Sequence, residues 1–400
     1  MVVPALPLEI LQQIVDLFED RDHEDHEDQH RRQDNHAEAL PAKHSKTLLA
    51  CHIRLRRLQD VIFEDVNPEL GNLQPFIKEV QVTIPSEKIV RYKQPEVHQD
   101  ALLRVLKKFA ECIAIQKFSI LGGGFPGLYW KALPPAIGKE LQSLVQLSSV
   151  SSLRLECIQD MPARLLVTNA HVKYLSVVFC PEIQGLSSIM ASLPKLEYLK
   201  WHDTSEFPEG LCFSFLSWAV ILRAAKTLKN LTIYDSDELA SCCSYRPKFP
   251  KDLRVGTFPL LENFVYSNNC TCSGAMSTTL EEALRFFDVS RPVPNLRVMS
   301  FSHCLNGDQG QYKFSMAADK NTWRELDRAL ARGHFTGLQK VHINVDLRSS
   351  TPEGTPTEGW NDSATRDEII RANFLDLFCE SRRLSIPFEV DVTIDRKFAS

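Results

Sequence analysis

Val150-Ser-Ser-Leu153-Arg-Leu155, Val172-Lys-Tyr-Leu175-Ser-Val177 and Leu196-Glu-Tyr-Leu199-Lys-Trp201 are three renderings of one phrase. It consists of an apolar residue, two free positions, an apolar residue, one free position and a last apolar residue. The phrase returns downstream at Leu228/Leu231/Ile233, Leu261/Phe264/Tyr266, Leu296/Met299/Phe301 and Leu338/Val341/Ile343. Upstream it stands at Ile77/Val80/Val82 and Ile115/Phe118/Ile120, which makes nine copies. The last two apolar residues of each copy are two apart, so in an extended strand they share one side while the residue between them faces the other. Each copy therefore predicts a short strand with one buried face. One such strand cannot bury its face alone, so the copies must stack on a common core.

Three residues beyond the final apolar position, five of the last seven copies carry a small polar residue or cysteine: Cys180, Thr204, Ser236, Asn269 and Cys304. With that residue the phrase resembles a leucine-rich repeat over roughly residues 72 to 346. In such repeats the side chain satisfies backbone groups as the chain turns away from the strand. Successive copies are 38, 35, 22, 24, 32, 33, 35 and 42 residues apart. Only two of these intervals lie in the usual range of about 20 to 29. The resemblance thus implies an α/β fold in which residues 72–400 form an irregular leucine-rich-repeat solenoid, with parallel strands on the concave side and helices outside.

The long intervals supply those helices. Leu102/Leu103/Leu106/Phe109 lie at helical spacing in residues 99–112, and Ile137/Leu141/Leu144 in 136–147. Leu280/Leu284/Phe287 do so in 278–287, and Trp323/Leu326/Leu330 in 321–332. The apolar run Leu211–Leu222, twelve residues broken by two serines, is too short to span a bilayer and reads as a buried helix. Gly122-Gly123-Gly124 with Pro126 and Gly127 reads as a loop, since it lacks the Lys-Ser/Thr of a phosphate loop and the spacing of a dinucleotide fingerprint. Residues 349–363 read as a flexible insertion. A helix over 366–383 and the alternation Phe388/Val390/Val392/Ile394 then make a C-terminal cap over 366–396.

The N-terminal part is built differently. Leu6-Pro7-Leu8-Glu9-Ile10-Leu11 opens a helix, with Pro7 at a first-turn position and Glu9 complementing the dipole. Two apolar rows, Ile10/Ile14/Leu17 and Leu11/Val15/Phe18, make a stripe wider than one small core needs. Residues 19–45 form an acidic, histidine-rich insertion with almost no apolar content, expected to be a solvated loop. A second helix follows from about Lys46 to Phe63, with Cys51, Leu55, Leu58 and Ile62 on one face.

Leu6-Pro7-Leu8-Glu9-Ile10, Leu48-Leu49-Ala50, Arg54-Leu55-Arg56-Arg57-Leu58 and Ile62-Phe63-Glu64-Asp65-Val66 together resemble an F-box over residues 4–66. Leu55 stands where that family usually has Trp, and the insertion splits the motif. An F-box followed by loose leucine-rich repeats is similar to the expanded F-box families of fungi. The resemblance implies a small all-α domain that docks a Skp-family linker protein and through it a cullin. Leu6, Pro7, Ile10, Ile14, Leu48 and Leu49 would make the contact.

Composition sets limits on the function. The 400-residue chain is 44% hydrophobic and carries a net charge of −5. Residues 19–36 hold eight acids and three arginines, so the remainder is neutral, and no nucleic-acid partner is expected. Met1-Val-Val-Pro-Ala places no basic segment before an apolar run, so no signal peptide and no membrane partner are expected. Eleven cysteines, an odd number, read as free thiols, which together place the chain in the cytoplasm or nucleus. Cys242-Cys243 and Cys270-x-Cys272 lack the Cys-x-x-Cys spacing of zinc sites, and His23, His26 and His30 read as part of the hydrated loop. No motif of a nucleophile or a metallohydrolase is present in the sequence, so neither catalysis nor a cofactor is expected.

The alternation that buries Leu153 and Leu155 turns Arg154 and Glu156 to the opposite side. The same parity exposes Lys200 and His202, Tyr234 and His342, among hydroxyl residues such as Ser176, Thr232 and Ser300. A face mixing charge, hydroxyl and aromatic groups suits a protein client. The expected function is the substrate-recognition adaptor of an SCF-type ubiquitin ligase. The alternative is a leucine-rich-repeat interaction scaffold unconnected with ubiquitin, whose N-terminal helices cap the first strand.

Overall fold

The last two apolar residues of all nine phrases lie on strands of one sheet, and a tenth strand extends it. The computed structural model describes residues 77–85, 95–123, 127–167, 169–178, 180, 183–184, 193–204, 215–236, 253–268, 284–287, 292–306, 316–349, 363–383 and 389–398. The F-box-like segment 4–66 and its insertion, Leu6 to Leu49 included, lie outside the described residues, as do Cys242, Cys243, Cys270 and Cys272.

In chain order the described elements begin with β1 (Glu79–Pro85), α1 (Pro95–Ala110), β2 (Lys117–Gly123), β3 (Leu128–Tyr129) and α2 (Pro135–Val145). Next come β4 (Ser152–Glu156), β5 (Ile158–Gln159), β6 (Met161–Pro162), α3 (Arg164–Val167), β7 (Tyr174–Val178) and β8 (Ile183–Gln184). Then follow β9 (Tyr198–Thr204), α4 (Phe215–Ala224), β10 (Asn230–Ser236), β11 (Asn263–Asn268) and β12 (Val298–Asn306). The chain closes with α5 (Met316–Ala331), β13 (Lys340–Ser349), α6 (Ser363–Leu377), α7 (Cys379–Arg383) and β14 (Glu389–Phe398). Helix α1 falls in one compact unit, and β1 with everything from Ile113 onward falls in another. In α1 itself, Val105, Leu106 and Phe109 are buried.

The second unit is a mixed α/β fold whose ten-stranded sheet runs β1-β2-β4-β7-β9-β10-β11-β12-β13-β14, strictly in chain order. Every adjacent pair is parallel. One hydrogen-bond pattern fixes their stagger. The amides of Ser151 and Ser152 both donate to Gln116 O, those of Lys173 and Tyr174 to Ser151 O, and those of Glu197 and Tyr198 to Lys173 O. The pattern continues through Lys229/Asn230 on Glu197 O, Glu262/Asn263 on Lys229 O, Arg297/Val298 on Glu262 O and Gln339/Lys340 on Arg297 O. With the stagger the same at every step, Leu153, Leu175, Leu199, Leu231, Phe264, Met299 and Val341 form one continuous buried row. The first apolar residue of each phrase sits just before its strand in a turn: the Val150 amide donates to Leu147 O, that of Leu196 to Leu193 O and that of Leu338 to Phe335 O.

Helices flank the sheet and close the apolar side. Ile137, Leu141 and Leu144 of α2, one face at 3.6-residue spacing, are buried, as are Trp323, Leu326 and Leu330 of α5. Phe286 and Phe287 lie in the helical residues 284–287 and are fully buried. Phe287 meets Phe264 and Phe301 edge-on, at ring-centroid distances of 5.3 and 6.0 Å, and Phe301 meets Trp323 at 5.8 Å. Trp323 in turn packs against Phe374 at 5.6 Å, so one aromatic chain ties strands β11 and β12 to α5 and α6. Of the run read from sequence as a buried helix, the part from Phe215 onward is described and lies in α4, with Val220 and Ile221 inside and Leu222 44% exposed. That helix has a solvent face because its apolar residues continue past one stripe's width.

Three local devices were not legible in the strand phrase. Asn169, 2% exposed, donates through Nδ2 to the carbonyls of Leu147 and Val150 at 3.2 and 3.3 Å, and also to Val145 O. It thereby satisfies orphan carbonyls where α2 ends. Asp327, fully buried on α5, accepts from the amides of Glu380 and Ser381 at 2.7 and 3.0 Å and so caps α7. Cys157 has a positive φ of 53°, and its carbonyl accepts from Leu128 N at 2.8 Å. A Cβ on Gly122 or Gly127 would stand 2.1 or 2.6 Å from that oxygen, which explains both glycines, although Gly122 and Gly123, expected in a loop, end strand β2.

The turn residues show a difference from expectation. Cys180 is buried with its Sγ 3.4 Å from Val178 O, as the turn role requires. At Cys304, by contrast, the backbone keeps pairing through Leu305 and Asn306, opposite Leu347 and Arg348. Strand length there is set by the long neighbour β13 rather than by the phrase.

Two outcomes follow for stability. Gly127→Ala, at φ +94° and against the Cys157 carbonyl, should cost about 1–3 kcal/mol. Gly333→Ala, at φ +76° with open space around it, should lose less by denaturant midpoint, and equal losses would remove the close-approach explanation. Asn169→Ala leaves several buried carbonyls short of a donor and should cost about 1–3 kcal/mol, whereas a neutral result would make the side chain a bystander.

Candidate partner-binding surface

The constant stagger lays the other parity of residues in rows across the sheet. One row runs Ser119, Arg154, Ser176, Lys200, Thr232, Val265, Ser300, His342 and Asp391, each paired with the next in register. Two residues further along each strand, Glu156, Val178, His202, Tyr234, Ser267, Ser302, Asn344 and Thr393 form a second. A third, towards the strand starts, runs Glu79, Lys117, Ser152, Tyr174, Tyr198, Asn230 and Asn263. Its parity is the same as that of the other two, so it could have been read from the position just before the phrase's second apolar residue.

Five of the six residues expected to meet a client lie on β4, β9 and β10, within four consecutive strands of the sheet. Arg154 and Glu156 form an ion pair along β4, with Arg154 Nε 2.9 Å from Glu156 Oε2. Lys200 Nζ lies over the Tyr234 ring, 4.9 Å from its centroid, and the His202 ring stands 5.3 Å from the same ring. Beside them, Tyr174 and Tyr198 stack at 4.3 Å with planes 18° apart, although each is more than a third exposed. Desolvation, with Tyr198 and Glu197 adding, raises the Tyr174 phenol above its ordinary range. An open groove of about 350 Å³ runs across β1, β2, β4, β7, β9 and β10, and Arg154, Lys200, Tyr174 and Tyr198 line it.

His342 is set apart on β13. Its Nδ1 faces the Asp391 carboxylate at 3.0 Å and its Nε2 the Thr393 hydroxyl at 3.0 Å, so both ring nitrogens are engaged within the fold. Lys340 Nζ meets the same Asp391 oxygen at 2.9 Å. The hydrogen bond from Lys340, with the charges of Lys340 and His342, holds the Asp391 carboxyl below the usual carboxylate range. The same bond raises Lys340.

Among the described residues no group of three or more His, Cys, Asp or Glu is placed to hold a metal ion. No helix of the described residues is long and apolar enough to cross a membrane. No protein-family model matches the chain, and no curated protein matches it.

The Asp391 arrangement fixes a pH dependence. A depressed carboxyl contributes stability that is complete above its unfolded value, near 3.8, and is lost as pH falls through the lower folded value. The stability gap between wild type and Asp391→Asn should therefore close as pH falls below 3.8, and a gap that persists in stronger acid contradicts the pairing.

Proposed function

We propose that the chain is the substrate-recognition adaptor of an SCF-type ubiquitin ligase, working in the cytoplasm or nucleus. The ten-stranded sheet is on this reading an irregular leucine-rich-repeat solenoid with its polar rows on the concave side. Residues 4–66 dock a Skp-family linker and through it a cullin, using Leu6, Pro7, Ile10, Ile14, Leu48 and Leu49. The polar rows hold a protein client through Arg154, Glu156, Lys200, His202 and Tyr234, with His342 at the far end.

The observation that carries the client half is the display of solvent-facing aromatic and charged groups in register, above all Tyr174 on Tyr198 and Lys200 over Tyr234. Aromatic residues and arginine are the groups that dominate protein interfaces, because they bury much area with little conformational freedom to lose. The linker half rests on the F-box resemblance of the sequence. In this scheme the chain needs no chemistry of its own. Holding a client beside a charged ubiquitin carrier raises the effective concentration of its lysines by tethering alone.

Co-purification with a Skp-family linker tests the linker half. Wild-type chain should capture the linker in equimolar amount, and a Leu6→Ala/Pro7→Ala/Ile10→Ala chain with unchanged circular dichroism and melting should not. A folded wild type that captures none leaves the scaffold unconnected with ubiquitin as the reading.

A further inference from the structure

We propose that the groove over β4, β7 and β9 takes an acidic, extended peptide segment of the client carrying one proline or aromatic residue. This rests on the client-binding reading above and names the chemistry of what is bound.

Charge supports the choice of occupant. The groove is lined by three cations, Lys117, Arg154 and Lys200, against one carboxylate, Glu79, in a chain whose net charge is −5. Lys117 is paired with Glu79 at 3.1 Å, with both side chains about 60% exposed, and the Arg154–Glu156 pair is likewise solvent-facing at Arg154. Exposed pairs of this kind are worth little, so an incoming carboxylate can replace either partner at small cost. Lys200 has no carboxylate partner among the described residues and holds only the face of Tyr234.

Spacing supports the extended form. Arg154 and Lys200 are in register with Ser176 between them, two strand separations apart, or roughly 10 Å. Three residues of polyproline-type backbone advance about 9 Å and bring side chains back to one side. Carboxylates at every third position thus meet Arg154 and Lys200 in turn. Tyr174 and Tyr198 lie two residues back along their strands, roughly 7 Å away, where their stacked rings offer a platform to a flat side chain between those carboxylates.

Fluorescence anisotropy with two short labelled peptides tests this on the full chain. One has Glu at every third position with Pro and Tyr between, and its twin has Lys in place of Glu. Wild type should bind the acidic probe, more weakly as salt is raised, and reject the basic twin. Arg154→Glu/Lys200→Glu should weaken the acidic probe by at least about tenfold. Tyr174→Ala/Tyr198→Ala should weaken it while keeping the preference for acid. Circular dichroism and melting establish that each variant is folded, and Lys200→Gln repeats the charge test with a milder change.

Equal binding of the two probes, indifference to the charge reversal, or tighter binding of a single-stranded oligonucleotide than of the acidic probe overturns the proposal. Linker capture is measured on the same preparations. Probe binding lost with capture intact in a folded wild type overturns the groove and not the adaptor, and the reverse pattern overturns the adaptor and not the groove.

Discussion

One carbonyl accepting two consecutive amides at the start of the next strand is the constraint on which the rest of the sheet depends. Parallel pairs have evenly spaced, slanted hydrogen bonds and no hairpin to fix their offset. Here Gln116, Ser151, Lys173, Glu197, Lys229, Glu262 and Arg297 each serve as the double acceptor, so the offset is the same at every step. A slip by one residue would turn Leu199 and Trp201 outward and Lys200 inward. Burial of one parity and display of the other are therefore the same fact. Loops of very different length can connect the strands because none of them sets the register.

The display has an energetic logic. The apolar rows are nearly dry, with Leu153, Leu199, Leu231, Phe264 and Met299 at 2% exposure or less. The polar rows satisfy themselves only in part. Around β13 and β14 the groups close on one another: Lys340 and His342 on Asp391, and Thr393 on His342 and Asn344. Around β4 to β10 the described groups are more open to solvent. Tyr174 and Tyr198 expose rings, Lys200 relies on a ring face, and Arg154 holds an exposed pair. The half of the sheet with these exposed groups is the half with the groove.

Much of this was legible in the sequence because strand parity is a two-residue code written nine times. The apolar triplets located β1, β2, β4, β7 and β9 to β13, and the Phe388 to Ile394 alternation located β14. Arg154, Lys200 and Tyr234 followed from the same parity. Tyr174 and Tyr198 share that parity, but their stacking depends on the register between β7 and β9, which neither phrase records alone. Asn169 and Asp327 were beyond a local reading, because their partners are fixed by packing: Asp327 caps amides more than fifty residues downstream. Strand ends were equally hidden. Cys304 lies mid-strand because β13 runs ten residues beside it, which no feature of residues 296–306 records.

The most direct test of the shared-acceptor ladder is native-state hydrogen exchange at the strand starts. The paired amides Ser151/Ser152, Lys173/Tyr174, Glu197/Tyr198, Lys229/Asn230 and Glu262/Asn263 should be protected together with the buried strand amides of Leu153, Leu175, Leu199 and Leu231. Exchange of those pairs at unprotected rates, with protection confined to the helices, would contradict the ladder and the rows of side chains it displays.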